Sequence, residues 1–236
     1  MPVDVAIEPV PELAARFAGL VAEWSRRAIA ERGRFSIAVP GGSANGALLP
    51  FLIPSPIDWS KIEVFWVDER MVPPDDTDSN FRAARIAWLD EVPIPGEHIH
   101  RMHGEDPART AAEDYARLLV RKLGQPTRID LVLLGMGEDG HVASLFPGHR
   151  LLRAWDRDVA ELDDAPKPPA RRTTLTLRAL TAARRIVVFA AGPAKAEVLG
   201  DALGNEESEL PVALATMGEG PVTFLLDPAA AAKMKR

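Results

Sequence analysis

Cysteine is absent from the 236 residues, which removes disulfides, thiolate nucleophiles and cysteine metal sites together. Chemistry therefore falls to histidine, carboxylates, hydroxyls and backbone groups. No apolar run approaches the ~20 residues of a membrane span, and residues 1–10 lack the basic-then-apolar order of a signal peptide. A soluble, cytoplasmic protein without a membrane partner is expected. A basic excess is missing too. The net charge of −6 argues against a nucleic-acid partner, because such binding draws on clustered Lys and Arg that neutralise phosphates. A small anionic ligand stays possible wherever a few basic side chains converge. Neither an internal repeat nor a low-complexity linker interrupts the chain.

What is present suits one globular unit. With 47% hydrophobic and 26% charged residues, the chain can bury a full core, and a single domain over residues 1–236 is expected. Short apolar runs alternate with amphipathic segments. Residues 11–32 repeat apolar positions at three- and four-residue steps, with Pro11 suited to a first turn and Gly33 to the end. Residues 35–39, 62–67, 129–134, 185–190 and 221–226 read as buried strands, with further strands expected in 156–162 and 173–177. Helices are expected over 81–89, 107–123 and from 194 to 203, with a short one at the end of the chain. Strand–helix alternation of this kind predicts an α/β fold: a mainly parallel, doubly wound, Rossmann-like sheet with helices on both faces.

Three strand ends carry polar residues. The first is Pro40-Gly41-Gly42-Ser43, between a strand and a helical segment. By itself this reads as an ordinary βα turn using glycine for positive φ; its free backbone N–H groups would also suit a phosphate. It matches neither GxGxxG nor GxxxxGK[ST], so NAD and ATP gain no support and no cofactor is expected. The second is Asp68-Glu69-Arg70, which stands either at a ligand crevice or at the start of an exposed loop. The third is Gly135 to His141, where Glu138, Asp139 and His141 lie among three glycines. Lys195, in the first turn after Gly192-Pro193, sits unfavourably against a helix dipole; an anion there would resolve the mismatch, and solvent would tolerate it. His98, His100 and His103 are interleaved with apolar residues and read as packing or surface histidines, so no metal site is expected.

Together these segments resemble the 6-phosphogluconolactonase family, within the wider group of glucosamine-6-phosphate isomerases and deaminases (NagB/RpiA-like). The resemblance rests on GMGEDGHVASLFP at 135–147, VDER at 67–70 followed by DSN at 78–80, RTTLT at 172–176 and GPAK at 192–195. It implies hydrolysis of a sugar-phosphate lactone, 6-phospho-D-glucono-1,5-lactone. His141 would be the general base, Asp139 or Glu138 its partner, and Arg70 a group for the oxyanion or the substrate. Arg172 and Lys195 would bind phosphate together with Gly41, Gly42 and Ser43. The family loop usually reads SGGSTP; here Pro40 and Ala44 lack its hydroxyls, so a weaker phosphate grip is expected. SLFP at 144–147 is typical of the lactonase branch. Two alternatives are a glucosamine-6-phosphate deaminase with Asp68 as base and a non-catalytic sugar-phosphate sensor. A monomer or small homo-oligomer is expected.

Overall fold

Strands Phe35–Val39 (β2), Ile62–Trp66 (β3), Ile186–Ala190 (β9) and Val222–Leu226 (β10) are buried at all five positions. Strands without a solvent face belong inside a parallel sheet covered on both sides. The computed structural model describes residues 3–234 and shows such a sheet. Its seven strands run in the order β1-β10-β9-β6-β2-β3-β5, all parallel, with Val3–Ile7 as β1, Ile99–His100 as β5 and Leu131–Gly135 as β6.

Period-two alternation sends neighbouring side chains to different cores. Ile37, Val64, Leu133 and Val187 join one core with Leu13, Phe17 and Val21 of α1 (Val10–Arg32), Leu48 of α2 (Gly42–Leu48) and Ala84 of α3 (Asn80–Ala87). Ala38, Phe65, Val132 and Val188 face the other. There they meet Tyr115 and Leu119 of α4 (Ala108–Leu123), Leu180 of α5 (Leu177–Thr181), Leu199 of α6 (Ala196–Gly204) and Val212 of α7 (Pro211–Ala215). The sheet is therefore doubly wound, as expected. Truncating a Leu in either core to Ala would cost about 2–5 kcal/mol.

Local signals set most boundaries. Gly33 closes α1 in the left-handed conformation at φ 77°, and its N–H reaches the Ile29 carbonyl. The Ser79 hydroxyl caps α3 by accepting from the Arg82 N–H. Differences from the expected pattern arise where pairing is non-local. Asp68–Arg70 is a strand (β4) that joins Val159–Leu162 (β7) and Arg172–Leu175 (β8) in a second, antiparallel sheet of order β4-β8-β7. The edge strand β1 pairs with β10 across almost the whole chain. Lys195 ends a 3₁₀ turn, Pro193–Lys195, and stands as the N-cap of α6 rather than inside its first turn.

Candidate active site

From the sheet centre the chain moves outward in two directions, β2 to β3 to β5 and β6 to β9 to β10. The carboxyl ends of β2 and β6 therefore diverge at a topological switch point, where open α/β sheets place their ligands. A cavity of about 180 Å³ lies there, lined by Pro40 to Ser43, Asp68, Arg70, Asn80, Gly135 to Gly137, His141, Ala143 and Arg172.

Both glycine turns are sterically required. A Cβ on Gly41 would stand 1.9 Å from Oδ1 of Asn80, and Gly42 has φ 63°. After β6 the chain folds back tightly: the Gly137 N–H donates to the His141 carbonyl at 2.9 Å, and the Gly140 N–H to Gly137 at 3.1 Å. Gly140 has φ 81°, and a Cβ on Gly137 would lie 2.1 Å from Nδ1 of His141. Ala143, on the cavity wall, holds the unusual φ of 49°, a strained value of the kind that collects at functional sites.

This turn presents the imidazole. Nδ1 of His141 lies 2.5 Å from Oδ1 of Asp139, and the ring packs on Phe146 with centroids 4.8 Å apart. Burial pulls the His141 pKa below its ordinary 6.5, with Asp139 opposing that shift. Glu138 is exposed, so Asp139 is the carboxylate that touches the histidine. The ammonium of Lys167 stands 3.2 Å from the same Oδ1 and 3.5 Å from Nδ1.

Across the cavity, the antiparallel register sets Arg70 directly opposite Arg172. Like charges at such a pair repel, and an anion between them would relieve the conflict. Arg172 is 4% exposed. Its Nη1 donates to the Ser144 hydroxyl, while Nε and Nη2 donate to backbone carbonyls. Arg70 donates from Nη1 to the Asp78 carbonyl, and its Nε is buried without a partner. Asp68 accepts from the Ser144 hydroxyl at 2.7 Å and from Nδ2 of Asn80 at 3.2 Å.

Glu69 supports this wall. Its carboxylate accepts from the backbone N–H groups of Arg70, Asn80 and Phe81 and from the Ser79 hydroxyl. Burial pushes its pKa up to about 7 against the pull of those N–H donors.

The expected site residues thus divide. His141, Arg70, Arg172, Gly41, Gly42 and Ser43 line one cavity, and Asp139 holds the histidine. Lys195 is outside the lining; burial pulls its ammonium pKa down while Glu138 and Asp227 oppose this. Glu69 and Asn80 fell within the VDER and DSN motifs without a role assigned to either, and nothing in the sequence pointed to Lys167. His100 is buried against Glu63, and the described residues contain no group of three His, Asp or Glu arranged to hold a metal.

A doubly wound α/β sheet thus brings a histidine held by a carboxylate and two arginines to its switch point, an arrangement suited to a small anion. The chain belongs to the glucosamine-6-phosphate isomerase/6-phosphogluconolactonase family, whose model matches residues 9–224. It is 39% identical over 228 residues to the 6-phosphogluconolactonase of Rattus norvegicus, covering 93% of this chain and 89% of that one. It is 37% identical over 232 residues to the "Probable 6-phosphogluconolactonase 4, chloroplastic" of Oryza sativa subsp. japonica, covering 92% and 72%. The solved 6-phosphogluconolactonase of Trypanosoma brucei superposes with a TM-score of 0.88 at 28% identity, covering 100% of this chain and 99% of that one.

Proposed function

We propose that this chain hydrolyses 6-phospho-D-glucono-1,5-lactone to 6-phospho-D-gluconate, a step of the oxidative pentose phosphate pathway. The observation that carries this reading is the placement of His141, held by Asp139, on one cavity with the Arg70–Arg172 pair. Lactone hydrolysis needs a base for water and positive charge for an oxyanion. With Nδ1–H donated to Asp139, the lone pair on Nε2 takes a proton from water as the oxygen adds to the carbonyl carbon. The C=O becomes an oxyanion, which the guanidinium of Arg70 on the cavity wall stabilises. Collapse breaks the bond to the ring oxygen, and the imidazolium returns its proton to that leaving oxygen.

The phosphate is assigned to the turn Gly41-Gly42-Ser43, Arg172 and Lys195. Arg172 keeps one Nη1 hydrogen beyond its bonds to protein. Lys195 lies outside the cavity lining, and its ammonium feels the charges of Glu138 and Asp227. Asp68 is engaged by Ser144 and Asn80, which makes it a poor proton-abstracting base and counts against the deaminase reading. The dyad itself counts against a sensor.

One domain over residues 1–236, working in the cytoplasm as a monomer or small homo-oligomer, completes the proposal; no described helix is long and apolar enough to cross a membrane. Acid release from freshly prepared 6-phosphogluconolactone, measured above its spontaneous hydrolysis with glucosamine 6-phosphate in parallel, tests the activity. Acceleration of the lactone alone is expected. Ammonia release from the amino sugar would favour the deaminase.

A further inference from the structure

The proline-rich segment of residues 165–170 has no regular secondary structure, yet it is tightly held. The Ala165 N–H donates to the Ala170 carbonyl at 3.1 Å. The buried guanidinium of Arg172 donates from Nε to the Pro169 carbonyl at 2.9 Å, and from Nη2 to the Lys167 carbonyl at 2.9 Å and the Pro168 carbonyl at 3.3 Å. Three consecutive carbonyls are gathered by one planar fork, a task that suits arginine and not lysine. Fixing the backbone at Lys167 fixes where its side chain starts. Its ammonium arrives at Oδ1 of Asp139, the atom that also accepts from His141.

We propose that Lys167 is a positioning residue of the dyad, delivered by Arg172: its ammonium holds the Asp139 carboxylate against Nδ1 of His141, so that the Nε2 lone pair stays available for water. The inference rests on the general-base reading above. Asp139 is about one-third exposed; beyond the His141 ring and a long contact from the His141 N–H at 3.4 Å, the Lys167 ammonium is the donor that restrains its carboxylate. A residue that orients a catalytic partner in this way acts on the base without touching the reacting atoms. The ammonium has a second effect, since a positive charge beside the imidazole disfavours the imidazolium. The charged groups acting on His141 are Asp139 and Asp68, which raise its pKa, and Lys167, which lowers it with burial. Arg172 lies over the Phe146 ring on which the imidazole packs.

The test uses the full chain with Lys167→Gln and Lys167→Arg. Steady-state kinetics on the lactone are paired with an NMR titration of the His141 imidazole, which needs no turnover. Lys167→Gln is expected to lower kcat about tenfold at nearly unchanged KM. The His141 titration and the acidic limb of the pH profile should both move to higher pH, because a charge that opposed protonation is gone. Lys167→Arg should recover most of kcat and the original limb. A raised KM with kcat intact would overturn the proposal in favour of direct substrate binding. An unmoved His141 titration in Lys167→Gln, in a chain that hydrolyses the lactone, would overturn the positioning role alone. A moved titration in a chain without lactonase activity would keep the positioning role and overturn the lactonase reading.

Discussion

Oδ1 of Asp139 lies 2.5 Å from Nδ1 of His141, and among the described residues Nε2 of that ring makes no hydrogen bond to protein. The imidazole is thus anchored at one nitrogen and open at the other. Replacing Asp139 by Asn removes the charge and permits an amide N–H to face Nδ1, which would leave the proton on Nε2 and the lone pair on the wrong side. Asp139→Asn should lower kcat by about 10²-fold or more, within the range of general-base effects, with an unchanged circular dichroism spectrum.

Burial lowers the His141 pKa below 6.5, and only the neutral ring accepts a proton. Activity should therefore be low where the ring is protonated and rise with pH to a plateau. The kcat/KM profile is expected to show an acidic limb with its midpoint below 6.5. A midpoint clearly above 6.5 would mean that another group is the base, or that Asp139 outweighs burial.

A methyl group on Gly137 would stand 2.1 Å from Nδ1 of His141 and 2.6 Å from Oδ1 of Asp139. Neither distance is tolerable, so the pair must separate. Gly137→Ala should cut kcat at least tenfold with a smaller effect on KM, because the residues assigned to the phosphate are not the ones displaced. Kinetics at saturating lactone measure this directly.

Glu69 accepts four donors: the backbone N–H groups of Asn80 and Phe81 at the start of α3, the N–H of Arg70 in β4, and the Ser79 hydroxyl. Removing it orphans buried donors at about 1–3 kcal/mol each. Glu69→Ala should cost at least ~3 kcal/mol. At about 2–4 °C per kcal/mol for a chain of this size, the Tm falls by roughly 6–12 °C. Glu69→Gln, which retains one acceptor oxygen, should fall between the two. Thermal unfolding followed by circular dichroism reads both.

Lys195 and Arg172 are assigned to the phosphate. Lys195→Ala should raise KM for the phosphorylated lactone and leave hydrolysis of a non-phosphorylated gluconolactone nearly unchanged. Equal effects on both substrates would remove Lys195 from the phosphate site.

The central parallel strands, the glycine turns and the His141–Asp139 motif were legible because each is written in contiguous residues: an apolar run, a glycine pair, a short spacing. The second sheet was legible only in part: strands near β7 and β8 were expected, but β4 and the antiparallel pairing were not. Asp68-Glu69-Arg70 read equally as an exposed loop, since its partner Arg172-Thr173-Thr174 lies about a hundred residues away and local pattern carries no register. The same distance hid the opposition of Arg70 and Arg172. Lys167 sits in a proline-rich loop with no periodicity, and only the three carbonyl contacts of Arg172 reveal why its position is fixed. β1 escaped notice because an edge strand with exposed Val3 and Ile7 lacks the continuous apolar run of a central one.

The most direct test is acid release from 6-phosphogluconolactone by the wild-type chain and by His141→Ala, each corrected for spontaneous hydrolysis. The wild type should accelerate hydrolysis, and the folded variant should lose about 10²- to 10⁴-fold of that rate. Wild-type turnover by a folded His141→Ala would contradict the assignment of His141 as the base.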